Sequence, residues 1–183
     1  MLLPDHEIRA LCLERALISP FNEDQLQPSS YDVALGAHIM IEVAETADLV
    51  RHNIGGHTEA DPYWLEPGTF ILAETEEMFN IPDDPAIAAQ FVLKSSRARS
   101  GIQHMLAGFI DSGYHGSRLT LELKNVRQKH KVGVWPGMLI GQILFMPLTA
   151  NPERSYAQIG HYNRHETVMP SWETLKHPVG MTA

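Results

Sequence analysis

Three short stretches of the 183-residue chain hold residue types able to do chemistry together. Lys94-Ser95-Ser96-Arg97-Ala98-Arg99-Ser100-Gly101 places three cations and three hydroxyls directly behind the apolar run Ile87–Leu93. If this run opens a helical turn, Ser95 and Ser96 aim hydroxyls and backbone N–H groups at one point. Arg99 can then fork onto an oxyanion. A solvated basic turn accounts for the pattern equally well. Downstream, Asp111 stands between Gly-rich turns with Tyr114 three positions on, which suits close approach of backbone to a ligand. There Asp111 can accept from a sugar hydroxyl while Tyr114 packs on the ring. Taken alone, that stretch is better explained as a hairpin with an Asp-capped turn. In Leu119-Thr120-Leu121-Glu122-Leu123-Lys124-Asn125, alternation sends the leucines to one face and Thr120, Glu122 and Lys124 to the other. Pattern alone favours solvent on the polar face. If that face lines a cavity, Glu122 is a partly desolvated carboxylate suited to proton transfer.

Other chemistries are excluded by what the chain lacks. His57-Thr58-Glu59 matches half of the zinc deaminase signature, but the Pro-Cys-x-x-Cys half cannot be built when Cys12 is the only cysteine. The same count excludes intramolecular disulfides and multi-cysteine metal sites. There is no Gly-x-x-x-x-Gly-Lys-Ser/Thr loop, no Gly-x-Ser-x-Gly elbow and no His-Glu-x-x-His pair. Of the ten histidines, only His161 and His165 stand at helical ligand spacing, in a stretch with no helical pattern. Exposed or substrate-facing imidazoles are the simpler account.

The elements that must position these groups are mostly strands. Residues 5–17 read as one N-terminal helix, capped by Asp5, with Ile8, Leu11, Cys12 and Ala16 on one face. From Ser30 onward, β-prone runs alternate with Gly and Pro breaks: His38–Val43, Thr69–Ala73, Ile87–Leu93, Leu119–Leu123 and Leu139–Leu148. That rhythm predicts a mainly β barrel or sandwich. No repeat or composition shift divides the chain, so one domain over 1–183 is expected, ending in an arm from about residue 150. The arm is polar and aromatic and should lie over a surface. At 44% hydrophobic the chain can bury a core, and its charge of -8 argues against a nucleic-acid partner. No apolar run is long enough for a membrane span, and the N-terminus is charged where a leader would be apolar. The expected location is the cytoplasm.

Taken in order, the segments resemble the trimeric deoxycytidine triphosphate deaminase and deoxyuridine triphosphatase superfamily. The resemblance runs through Gln27-Pro28-Ser29-Ser30-Tyr31-Asp32-Val33-Ala34-Leu35-Gly36 and Leu65-Glu66-Pro67-Gly68-Thr69-Phe70-Ile71-Leu72-Ala73. It continues through the Ser-Ser-x-Ala-Arg turn, the Gly-Phe-Ile-Asp-Ser-Gly-Tyr loop, the Leu-Thr-Leu-Glu-Leu strand and Trp135-Pro136-Gly137-Met138-Leu139-Ile140-Gly141-Gln142. The resemblance implies a distorted β-barrel of the dUTPase-like, β-clip type, with a short N-terminal helix and a C-terminal arm. It also implies a homotrimer with active sites between subunits.

Within the superfamily, the deaminase branch carries a proton-shuttling Glu where this chain has Glu122. The implied activity is zinc-independent hydrolytic deamination of a deoxycytidine nucleotide, dCTP giving dUTP and ammonia, with Mg²⁺ on the phosphates. The alternatives are a dUTP pyrophosphatase, a bifunctional enzyme, or an inactive nucleotide-binding regulator. By resemblance, Lys94, Ser95, Ser96 and Arg99 hold phosphate oxygens, Ala107 meets the base through its backbone, and His104 stands near it. Asp111 and Tyr114 read the deoxyribose, while Tyr156, His161, Tyr162 and His165 of the arm complete the nucleotide site. The chain departs from the family by one residue fewer between Gly101 and His104 and one more between Gly116 and Glu122. In the arm, His161 and His165 replace a usual Lys and Gln, which points to fewer phosphates, a modified base, or compensation by Arg97 and Arg164.

Overall fold

A computed structural model describes residues 1–176. The N-terminal helix α1 (Asp5–Arg15) carries acids in its first turn and Arg15 in its last, each favourable to the helix dipole. Asp5 is its first residue rather than its cap. Pro4 takes the cap position, and the Asp5 carboxylate accepts from the His6 N–H at 2.8 Å. Ile8 and Cys12 are buried as their spacing predicts, whereas Ala16 lies past the helix end in the left-handed conformation (φ 50°).

Strands make up most of the remainder. They are β1 (Ile18–Ser19), β2 (Leu26–Gln27), β3 (Ser30–Val43), β4 (Thr46–Asn53), β5 (Tyr63–Leu65) and β6 (Phe70–Asn80). After these come β7 (Ile87–Leu93), β8 (Ile102–His104), β9 (Phe109–Ile110), β10 (His115–Asn125), β11 (Val132–Val134) and β12 (Leu139–Pro147). Three short α-helices, α2 (Ser95–Ser100), α3 (Tyr156–Ile159) and α4 (Trp172–Lys176), and a 3-10 turn at Glu23–Gln25 complete the elements of the described residues.

One ten-stranded sheet dominates, with central order β8-β10-β6-β3-β12-β7-β9, while β11 and β5 form a separate pair. All the neighbouring strands run antiparallel. Strands β8 and β7 lie towards opposite ends of that order, yet the rings of His104 and Phe91 are 4.7 Å apart, edge to face. The sheet therefore curls round towards closure, giving the distorted barrel expected of the sequence. Its inward side chains, including Tyr31, Phe79, Phe91 and Phe145, form the main core. A smaller apolar cluster of Met40, Leu72 and Val168 sits apart from it, with Leu49 and Phe70 packed on top. No helix among the described residues is long and apolar enough to cross a membrane.

Candidate active site

Glu122 owes its position to the alternation of β10, in which Leu119, Leu121 and Leu123 are buried against the main core. Two registers matter: Thr120 faces Glu74 across the strand pair, and Glu122 faces Leu72. Upstream the ladder is irregular. Between His115 opposite Asn80 and Ser117 opposite Phe79, β10 spends two residues against one of β6. Gly116 (φ 62°) supplies the positive dihedral that such a bulge uses. A second irregularity follows between Arg118 opposite Met78 and Thr120 opposite Glu74, where the surplus residues lie on β6, and the ladder is regular from Thr120 onward.

The polar face of β10 does not look onto bulk water. Cluster residues Leu72 and Val168 lie beside it, and the C-terminal arm folds across its own chain as a roof. Three backbone bonds fix the arm: Tyr156 N to Ser112 O (2.8 Å), Arg164 N to His115 O (3.1 Å) and Arg118 N to His165 O (3.0 Å). What remains is a cavity of about 640 Å³, a size suited to a small organic ligand. Glu122, Thr120, His104, Ala107, Asp111 and Tyr114 line it, together with Phe91 and Phe109. The arm contributes Tyr156, Tyr162, His165, Met169, Pro170, Ser171 and Thr174. Alternation alone favours solvent for Glu122, and the structure puts it in the cavity instead.

Inside, Glu122 Oε2 and His104 Nε2 stand 3.3 Å apart. The separation suits an ion pair but the alignment does not suit a hydrogen bond, and both atoms are buried without a partner. Both residues line the cavity, so both atoms are open to a hydrogen bond from a molecule bound there. His104 is itself buried, its ring held against Phe91, while the Glu122 side chain is 27% exposed. Tyr114 is fixed differently. Its hydroxyl donates to Arg118 O at 2.7 Å, and burial pushes its phenol pKa upward. It therefore offers the cavity its ring, packed 5.7 Å from that of Tyr156. Burial raises the Tyr156 phenol as well. Beside Ala107, Gly108 lets two backbones meet: Phe91 N donates to Gly108 O at 2.7 Å, and a Cβ on Gly108 would lie 2.7 Å from Phe91 O.

The remaining sequence candidates lie elsewhere. Ser95, Ser96 and Arg99 are exposed on α2 and do not line this cavity. Lys94 turns its ammonium to Asp32 Oδ2 (2.5 Å), which also accepts from Gln27. Arg97 donates to Leu139 O and lies over the Trp135 ring, so it is occupied as well. Arg164 is exposed in the left-handed conformation (φ 64°). His161 is stacked on Trp172 (centroids 4.6 Å apart) outside the lining, while His165 lies within it. Several lining residues stand outside the candidates that the sequence offers. Thr120 shares the face of Glu122 and was findable by the same alternation. Arg118 also lines the cavity, its guanidinium committed to Thr75 O and Glu76 O. Met169–Ser171 carried no signal, since only the folded arm brings them there.

Comparison with known proteins places this geometry in a family. Residues 2–148 match the family model described as dCTP deaminase-like. A Mycobacterium marinum protein named "dCTP deaminase, dUMP-forming" is 37% identical over 177 residues, covering 91% of this chain and 90% of its own. A Rhodococcus opacus protein of the same name is 38% identical over 85% of this chain and 86% of its own. The crystal structure of the Agrobacterium tumefaciens 2'-deoxycytidine 5'-triphosphate deaminase superposes with a TM-score of 0.63 at 22% identity. It matches 80% of this chain but only 48% of that longer one, and at this identity it speaks for the fold alone. With the curled sheet, the strand that carries Glu122 and most of the chain's length all matched, this protein belongs to the dCTP deaminase-like family.

Proposed function

We propose that this chain hydrolyses the exocyclic amine of deoxycytidine triphosphate and then cleaves the deoxyuridine triphosphate, so that dUMP, ammonia and pyrophosphate leave. The observation that carries the deaminase step is the Glu122 oxygen, buried without a donor in a nucleoside-sized cavity beside His104. The second step is supported by the names of the relatives, which are dUMP-forming. Stopping at dUTP, the outcome favoured by sequence, sits less well with those names.

In the proposed mechanism, a water beside Glu122 gives a proton to the unsatisfied carboxylate oxygen as its own oxygen bonds to C4 of the pyrimidine. Glu122 then returns a proton to the amine, the C4–N bond breaks and ammonia departs. His104, at 3.3 Å, is placed to steady whichever protonation state Glu122 holds. The backbone around Ala107 and Gly108 is positioned to meet the base edge, and Tyr114 and Asp111 the deoxyribose. For pyrophosphate release, Asp111 is the cavity carboxylate we assign to the attacking water.

Among the described residues no three His, Cys, Asp or Glu side chains converge as a metal cage. Mg²⁺ is proposed as an ion carried on the nucleotide phosphates, where it would neutralise charge. We further propose a homotrimer. Exposed Ser95, Ser96 and Arg99 lie outside the lining of their own cavity, while exposed Phe109 belongs to it and exposed Met105 and Leu106 join the lining residues His104 and Ala107. A neighbouring copy bringing its α2 to those exposed residues would supply the missing phosphate ligands.

The test is product analysis with dCTP, following ammonia and pyrophosphate separately, on wild type and Glu122→Gln. Wild type should release both products, and the variant should bind nucleotide but lose roughly 10²–10⁴-fold in kcat, the span of general acid–base catalysis. Near-normal turnover by the variant would remove Glu122 from the chemistry. Ammonia without pyrophosphate would restore dUTP as the product.

A further inference from the structure

Glu74 is a buried carboxylate for which the reaction has no use. It stands on β6 opposite Thr120, and its side chain is 3% exposed. Gly36 makes room for it, since a Cβ there would lie 2.5 Å from Glu74 Cγ. One oxygen, Oε1, accepts from His38 N at 3.2 Å and lies 2.9 Å from His38 Nδ1. The other, Oε2, accepts from Val168 N at 2.9 Å. The next arm residue, Met169, donates its N–H to Thr120 Oγ1 at 3.1 Å. Two consecutive arm amides are thus clipped to two residues that face one another across the β6–β10 pair, and Thr120 is two positions from Glu122.

Glu74 places a carboxylate at a buried position. A charge there is compensated only by the N–H donors it collects, and one of them comes from the arm. Lifting the arm would cost Oε2 that donor, so the bond biases the arm towards closure.

We propose that Glu74 is a positioning residue, which with Thr120 latches arm residues 168–171 as a wall of the cavity over Glu122. The catalytic part of this proposal rests on the function argued above; the latch does not.

Amide hydrogen exchange and steady-state kinetics on full-length wild type, Glu74→Gln and Thr120→Val test it. Glu74→Gln keeps the size but converts one acceptor oxygen into a donor, and Thr120→Val removes the hydroxyl almost isosterically. In each variant the Val168 and Met169 amides should exchange about tenfold faster, the loss expected for one such hydrogen bond. Amides of Leu121 and Leu123 should keep their wild-type rates. The KM for dCTP should rise by a similar factor, with kcat falling less. Unchanged exchange at 168–169 in both variants would overturn the latch, as would equal acceleration throughout β10. Faster arm exchange with an unchanged KM would overturn the positioning role. If wild type turned over no deoxycytidine nucleotide, the functional reading would fail while the exchange rates still decided the latch.

Discussion

Replacing Glu77 by Gln should make the stability of this protein less sensitive to pH. Glu77 lies on β6 and is 2% exposed. It accepts from Gln25 Nε2 at 2.7 Å and from Ala34 N with both oxygens at 3.1–3.2 Å. Those donors favour the charged form, but burial outweighs them and lifts the carboxyl from 4.5 to about 7. The sign follows from linkage. A carboxyl whose pKa is higher in the folded state holds its proton more tightly there, so its stabilising contribution is complete below pH 4.5 and is lost as pH rises through 7. From 4.5 to about 7, at ~1.4 kcal/mol per pH unit, the loss amounts to roughly 3 kcal/mol. Urea unfolding of wild type and Glu77→Gln at pH 5, 6, 7 and 8 isolates this group, because the other titrations are common to both proteins. The wild-type stability minus that of the variant should fall by a few kcal/mol across the series. A difference independent of pH would refute the assignment, and one that rises with pH would reverse its sign.

Two further substitutions probe the scaffold of the site. Gly108→Ala forces a Cβ to within 2.7 Å of Phe91 O, so the 106–109 turn must shift. A cost of about 1–3 kcal/mol is expected from overpacking, read as a lower Tm, together with a raised KM for dCTP. Asp32→Ala leaves the Lys94 ammonium without its partner. Because the Lys94 side chain is 26% exposed, the cost should fall below that of a fully buried pair, at about 2–3 kcal/mol in urea unfolding.

How far the fold was legible in the sequence depended on whether local pattern decided the outcome. The bounds of β7, Ile87–Leu93, were readable because an apolar run ends at a basic turn. Strand β4, Thr46–Asn53, was not, because none of its residues is fully buried and Leu49 packs on the smaller apolar cluster without an alternating apolar face around it. The Glu74-Thr75-Glu76-Glu77 stretch resembles a solvated edge, yet Glu74, Thr75 and Glu77 are all buried. Their partners, Val168, His38, Gln25 and Ala34, are too distant in the chain for any local periodicity to announce. The same limit applied to the site. Alternation put Thr120 and Glu122 on one face, but only the arm's long-range bonds made that face a cavity.

Charge divides the proposed reaction between surfaces. The cavity lining includes Asp48, Asp111 and Glu122, and its one Arg or Lys among the described residues, Arg118, is committed to backbone carbonyls. Such a lining suits a neutral pyrimidine and a sugar, and it repels a triphosphate. Exposed Arg99 with Ser95 and Ser96 has the opposite character and lies outside that lining. If the proposed trimer joins one copy's α2 to another's cavity, Glu122→Gln and Arg99→Ala damage different subunits' contributions to each site. Refolding the two inactive variants together at equal ratio should then rebuild about one intact site in four by random assembly in a cyclic trimer. Ammonia release by the mixture should approach a quarter of the wild-type rate. A mixture no more active than the average of its two components would show that α2 and Glu122 do not meet across a subunit boundary, and would remove the reason for placing phosphate recognition there.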